Sequence, residues 1–155
     1  MRRPLALAAA LLAAACAAPA PTAPGPAARF EPGGGTVREI KVEQARSSRF
    51  VGEWIGTYRP IDMGTLKVTP ETAGRALLIV DSAQGSLLRG SMEWETAAGE
   101  TQEPMDWVGA LTLTGHFMVM NAHAILFEQD GVEFLEIDMQ RPDGRFYRHR
   151  LTRRS

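Results

Sequence analysis

The segment Ala122 to Thr152, AHAILFEQDGVEFLEIDMQRPDGRFYRHRLT, leaves its backbone few choices. It holds three alternating runs separated by two turn signals. Asp130-Gly131 is the dipeptide of a two-residue type I′ hairpin, and Arg141-Pro142-Asp143-Gly144 suits a type I turn closed by a left-handed glycine. With Asp130-Gly131 as the loop, Gln129 pairs with Val132. Leu126 then faces Leu135, Ala124 faces Ile137 and Ala122 faces Met139, while Ile125 meets Glu136 and His123 meets Asp138 on the other side. With Pro142-Asp143-Gly144 as the second loop, Met139 faces Tyr147, Ile137 faces His149 and Leu135 faces Leu151. Asp138 then meets Arg148, and Glu136 meets Arg150. Both turns send the same face of the middle strand inward, and a slip of one residue would invert every side chain. The outer face becomes a row of opposite charges, each pair contributing a few tenths to about 1 kcal/mol. In this register Glu136 and Asp138 are exposed. Glu128 opposes Glu133 beside the first turn, which requires a solvated rim, and Phe127 pairs with Phe134 on the outside.

Upstream, further alternating runs predict five more strands. Phe50 to Arg59 places Phe50, Gly52, Trp54, Gly56 and Tyr58 on one face, with glycines between bulky residues allowing curvature. Thr65 to Thr69 turns Leu66 and Val68 inward. Ala76 to Asp81 is apolar on both faces and leaves its orientation open. Leu87 to Glu95 turns Leu88, Gly90, Met92 and Trp94 inward, and Trp107 to Thr114 follows a polar loop from Ala97 to Pro104. After Gly115, one strand from Phe117 to Phe127 completes the set, with Met118 and Met120 inward. Eight antiparallel strands with short connections predict an all-β, up-and-down barrel, which removes sheet edges by closure; a two-sheet sandwich is the alternative. Charges at the outward positions Glu93, Glu95, Glu136, Asp138, Arg148 and Arg150 argue against a lipid-facing barrel.

The amino-terminal part reads differently. Residues 1–15 carry Arg2 and Arg3 followed by an apolar run from Leu5 to Ala15 that is too short to span a bilayer, the pattern of an export signal. Residues 16–36 form a Pro-, Ala- and Gly-rich linker able to extend about 3.1 Å per residue. The barrel domain is expected over residues 37–155. Thr36-Val37-Arg38-Glu39 has the form of a capping box opening a short helix to about Arg46, while the alternation of Glu39 to Glu43 competes for a short strand. Hydrophobic residues make up 45% of the chain, enough for one core. Loss of Arg2 and Arg3 with the signal, which holds no acid, takes the formal charge from −1 to −3. The carboxyl-terminal arginines are not read as a nucleic-acid surface, because two of them face acids in this register.

Two resemblances follow from short motifs. Leu12-Ala13-Ala14-Ala15-Cys16 resembles a bacterial lipobox, with Ala13 where that family usually carries leucine. It implies a lipidated Cys16, and Ala17 after it implies an outer-membrane, periplasm-facing address. Ordinary cleavage at an Ala-x-Ala site is the alternative; Cys16 is the only cysteine, so it has no disulfide partner within the chain. Gly52-Glu53-Trp54-Ile55-Gly56 resembles the first strand of calycin barrels: lipocalins carry Gly-x-Trp there, and nitrobindin-like haem barrels carry Gly-x-Trp-x-Gly. This implies a cavity for a small ligand. His149-Arg150-Leu151 lies near the haem-ligating histidine of nitrobindin-like proteins, but its flanking spacing departs from that family.

No nucleophile motif or metal-ligand spacing occurs, so no catalytic residue, metal or cofactor is expected. His116 and His123 fall on opposite faces of an unbroken strand and cannot share a site. His149 points inward, either as a bonded structural group or toward a ligand. The chain is therefore expected to be a membrane-anchored envelope lipoprotein without enzymatic activity. Its barrel would bind a small apolar ligand through Trp54, Tyr58, Met92, Trp94, Tyr147 and His149. The competing expectation is a filled barrel that binds a protein partner through Phe127, Phe134 and Phe146. Methionines at inward positions suit either reading, since they fill irregular space and adapt to apolar ligands.

Overall fold

Alternation builds a closed wall. The computed structural model describes residues 35–141 and 143–154, so the signal segment, nearly all of the linker and Cys16 lie outside the described residues. Its strands are β1 (Arg38–Ile40), β2 (Gly52–Asp62), β3 (Lys67–Val68), β4 (Gly74–Gln84), β5 (Leu87–Thr96), β6 (Met105–Leu111), β7 (Phe117–Val119), β8 (Ala122–Gln129), β9 (Val132–Gln140) and β10 (Phe146–Arg153). A 3-10 segment kinked at Arg46, Gln44–Phe50, precedes β2. From β4 onward each long strand pairs antiparallel with the next, β2 pairs with β4, and β10 returns to pair with β2. Eight strands thus form an up-and-down barrel; β1 lies along β8 and β3 along β2 as additions.

The double hairpin has the expected register along its ladders, except that the β8–β9 ladder ends at His123–Asp138, one pair short of the expected Ala122–Met139. Leu126 opposes Leu135 and Ala124 opposes Ile137; Ile137 opposes His149 and Leu135 opposes Leu151. Asp130 and Gly131 have φ of 53° and 79°, the two positive values that a type I′ turn requires. Gly144 has φ of 80° and donates its N–H to the Arg141 carbonyl at 2.9 Å. On the outer face Arg148 grips Asp138 through two bonds of 2.7 and 2.6 Å, and Arg150 donates to Glu136 at 2.8 Å. The opposed Glu128 and Glu133 are separately neutralised by Arg38 and Arg49.

One end of the barrel is plugged. Phe50, delivered by the 3-10 turn, enters the core against Phe117 with ring centroids 5.3 Å apart. Trp54 donates its indole N–H to the Phe50 carbonyl at 2.8 Å. The Arg153 guanidinium covers the Trp54 ring at 4.3 Å and donates to the Val51 carbonyl at 2.8 Å. Along β4, Ala76, Leu78 and Val80 face inward, which resolves the orientation that its apolar sequence left open. A Cβ at Gly56 would run into the Arg150 carbonyl, so glycine there lets β2 and β10 approach.

Several expectations change. Thr36-Val37-Arg38-Glu39 opens no helix: Arg38–Ile40 is a strand held by β8, and the helical turn comes later. β3 is only Lys67–Val68, and Leu66 is 74% exposed in a left-handed conformation, so it does not enter the core. The strand expected over Phe117 to Phe127 is broken into a hairpin at Met120-Asn121. Val119 pairs with Ala122, and Met120 has φ of 54°. No glycine or proline marks that turn, and Asn121 is its one local turn cue. The break puts Met118 on the outer face opposite His123. Phe134 does lie on the outer face, stacked on Phe127 at 5.5 Å, yet it is only 1% exposed because Arg150 lies 5.0 Å above its ring. Glu136, expected exposed, is largely covered, with 16% side-chain exposure, between Arg148 and Arg150.

The register fixes a stability contrast. Ile137→Ala removes a fully enclosed side chain and should cost about 2–5 kcal/mol. Asp138→Ala removes a surface ion pair and should cost about 1 kcal/mol or less. Denaturant unfolding of the two variants distinguishes these; equal midpoints with equal slopes would place Ile137 outside the core.

Candidate functional site

The hairpin break opens the barrel wall at the end opposite Phe50. β7 pairs only with Gly109 to Leu111 of β6, so β6 from Met105 to Val108 runs past the β7–β8 tip. On the far side, Met139 and Gln140 of β9 run past the last β8 pair, His123 with Asp138. Between them lies a notch of about 360 Å³. Its apolar surface comes from Trp94, Met105, Met120 and Met139, with Gln140 and Arg141 at its rim. That volume is within the range of small-ligand sites. Concavities of similar size on the outer wall are framed by charges, such as Arg59, Arg148 and Arg150 in one of them.

Behind Trp94 is a cluster of rings around one cation. The Arg141 guanidinium lies 5.2 Å from the Tyr58 ring, 5.2 Å from Trp94 and 5.4 Å from Tyr147. It also donates to the Gln102 side chain. Among the described residues no carboxylate comes within direct ion-pair distance of it, though Asp143 interacts with it electrostatically at longer range. The Tyr147 hydroxyl donates to Asp143 at 3.1 Å. Burial, and then that bond, push the Tyr147 hydroxyl up. Burial opposes the charge on Asp143, but the Arg145 N–H and the Tyr147 hydroxyl outweigh it and hold the carboxyl below its usual range.

His149 is fully enclosed. Its ring stacks on Tyr58 at 5.3 Å. Trp94 donates its indole N–H to Nε2 at 3.1 Å, so Nε2 is the acceptor and the proton sits on Nδ1, which bonds the Ile137 carbonyl at 3.3 Å. Both nitrogens of the neutral ring are used. Burial pushes its pKa down to about 4. A metal or haem at Nε2 would first have to displace Trp94.

The six residues expected to line a ligand site are all buried. The structure brings Tyr58, Trp94, Tyr147 and His149 together. Trp54 sits at the plugged end beneath Arg153, and Met92 packs one inward position below Trp94, opposite Leu78. Trp94 alone of the six borders the notch. Arg141 and Met105 were not anticipated. The signal for Arg141 was present, since continuing the inward alternation of Leu135, Ile137 and Met139 reaches it. His116 and His123, expected on opposite faces, are together: the break places both rings on the outer wall with centroids 5.9 Å apart. Comparison with known protein families and with curated proteins finds no match for this chain.

The His149 environment sets a pH dependence. Its folded pKa of about 4 lies below the ordinary 6.5, so the unfolded chain takes up the proton first as pH falls. Stability should be full above about pH 6.5 and decline toward pH 4, by about 3 kcal/mol across that window. His149→Gln should flatten the decline. Chemical denaturation across that pH range checks this, and an identical slope in the variant would assign the decline elsewhere.

Proposed function

We propose that this chain is an envelope lipoprotein whose calycin-like barrel binds a small, mainly apolar ligand at the notch. The observation that carries this reading is the notch itself. Three methionines and Trp94 meet there beside Arg141, whose guanidinium lies over the rings of Tyr58, Trp94 and Tyr147 and makes no direct ion pair among the described residues. Methionine side chains adapt to varied apolar shapes, and one placed polar group fixes orientation. The ligand sits at this end, not at mid-barrel, because Trp54, Met92 and His149 have no accessible surface to offer it. Trp94 forms the floor, with His149 supporting it from behind. The address rests on the export signal and lipobox-like segment ending at Cys16, and membrane fractionation of a Cys16→Ser variant tests it.

The ligand reading is tested with N-phenyl-1-naphthylamine, an apolar dye that brightens on leaving water. Saturable binding should quench tryptophan fluorescence, and Met105→Lys, at an exposed notch position, should weaken the dye at least tenfold in a protein whose melting curve shows it folded. Absence of saturable binding would favour a filled barrel acting through its outer wall. Unchanged affinity in Met105→Lys would place the dye elsewhere.

A further inference from the structure

The outer wall beside the charged β9–β10 hairpin assembles a set of donors that the linear sequence separates. β1 and β7 both lie antiparallel along β8, β1 against Leu126 to Glu128 and β7 against Ala122 to Ala124. They follow one another along that edge like two halves of one interrupted strand. Gly115, at φ of 85° and placed where a Cβ would meet the Val42 backbone nitrogen at 2.8 Å, forms the junction between the halves. That junction puts His116 beside Glu39, with Nε2 3.1 Å from Oε1. His123, one strand over on β8, turns its ring edge-on to His116 at 5.9 Å. Glu39 and His116 keep 37% and 24% side-chain exposure, and His123 is exposed.

We propose that Glu39, His116 and His123 form a surface site for a borderline divalent transition-metal ion, with Zn²⁺ the reference ion. Imidazole and carboxylate are the donors such ions accept. The spacing fits. Bonds of about 2.0–2.2 Å to one tetrahedral ion hold two donor atoms roughly 3.0–3.5 Å apart, which is the present separation of Oε1 and Nε2. Two imidazoles sharing one ion have ring centres roughly 5–6 Å apart, which is the present separation of the two rings. Among the described residues no three such side chains already converge on one point. The site closes when the exposed His123 ring turns its nitrogen toward the Glu39–His116 pair, a side-chain rotation that disturbs no core contact. The ion takes the place of the Glu39–His116 hydrogen bond, and water completes the coordination. Asp138, which pairs with His123 across the ladder, is held by both of its Arg148 bonds and is not a ligand.

Few competing donors complicate the test. The chain has three histidines, and both nitrogens of the third, His149, are engaged in the core. Calorimetric titration of the tag-free Cys16→Ser chain with Zn²⁺ at neutral pH should give one saturable site and a rise in melting temperature. Loss of a second-shell partner alone costs about 10–100-fold in metal sites, so His116→Ala and His123→Ala should each weaken binding at least tenfold. Glu39→Gln should weaken it less. Melting curves without metal verify that each variant is folded, and His123→Ala, which removes an exposed ring, is the decisive variant. No saturable binding, or binding of undiminished affinity in His123→Ala, would overturn the proposal.

Discussion

The pairing of β10 with both β9 and β2 holds the rest of the molecule in place. It turns a meander with two open edges into a barrel, and open edges invite association with other chains. The same strand carries Tyr147, His149 and Leu151 inward, so closure and core formation are one event. Tyr58 meets His149 only because β2 and β10 are neighbours, and Arg153 covers Trp54 for the same reason. Glycine at position 56 makes the approach possible, since a side chain there would meet the facing backbone.

What could be read from the sequence follows from where its local signals are strong. Asp130-Gly131 and Arg141 to Gly144 are turn sequences with one dominant geometry, and alternation did the rest; the last three strands and their inward faces follow from them. The face of β4 did not follow, because Leu77, Leu78, Ile79 and Val80 are apolar on both sides and only packing chooses between them. The Met120-Asn121 turn is weakly marked because its left-handed residue is a methionine and Asn121 is the only turn-favouring residue in it. Missing that turn hid both the notch and the meeting of His116 with His123. The capping-box pattern at Thr36 misled for a different reason: pairing with β8 outweighs a local capping preference.

The short β7–β8 hairpin therefore has two consequences on opposite sides of the wall. Toward the interior it leaves a notch bordered by Trp94, Met105, Met120 and Met139; toward solvent it leaves room for β1 to follow in line and bring Glu39 to His116. The interior consequence is linked to the core by a short chain of bonds. Trp94 donates to His149, His149 bonds the Ile137 carbonyl, and Arg141 lies over the rings of Tyr58, Trp94 and Tyr147. The set borders the notch at Trp94, whose indole N–H is bonded to the buried His149 imidazole.

Closure is the central claim, and through-space proton contacts measured by nuclear magnetic resonance test it most directly. The account predicts cross-strand contacts between Tyr58 and His149 and between Gly56 and Leu151, alongside those of Ile137 with His149. Strong β9–β10 contacts with none between β2 and β10 would show an open sheet and contradict it.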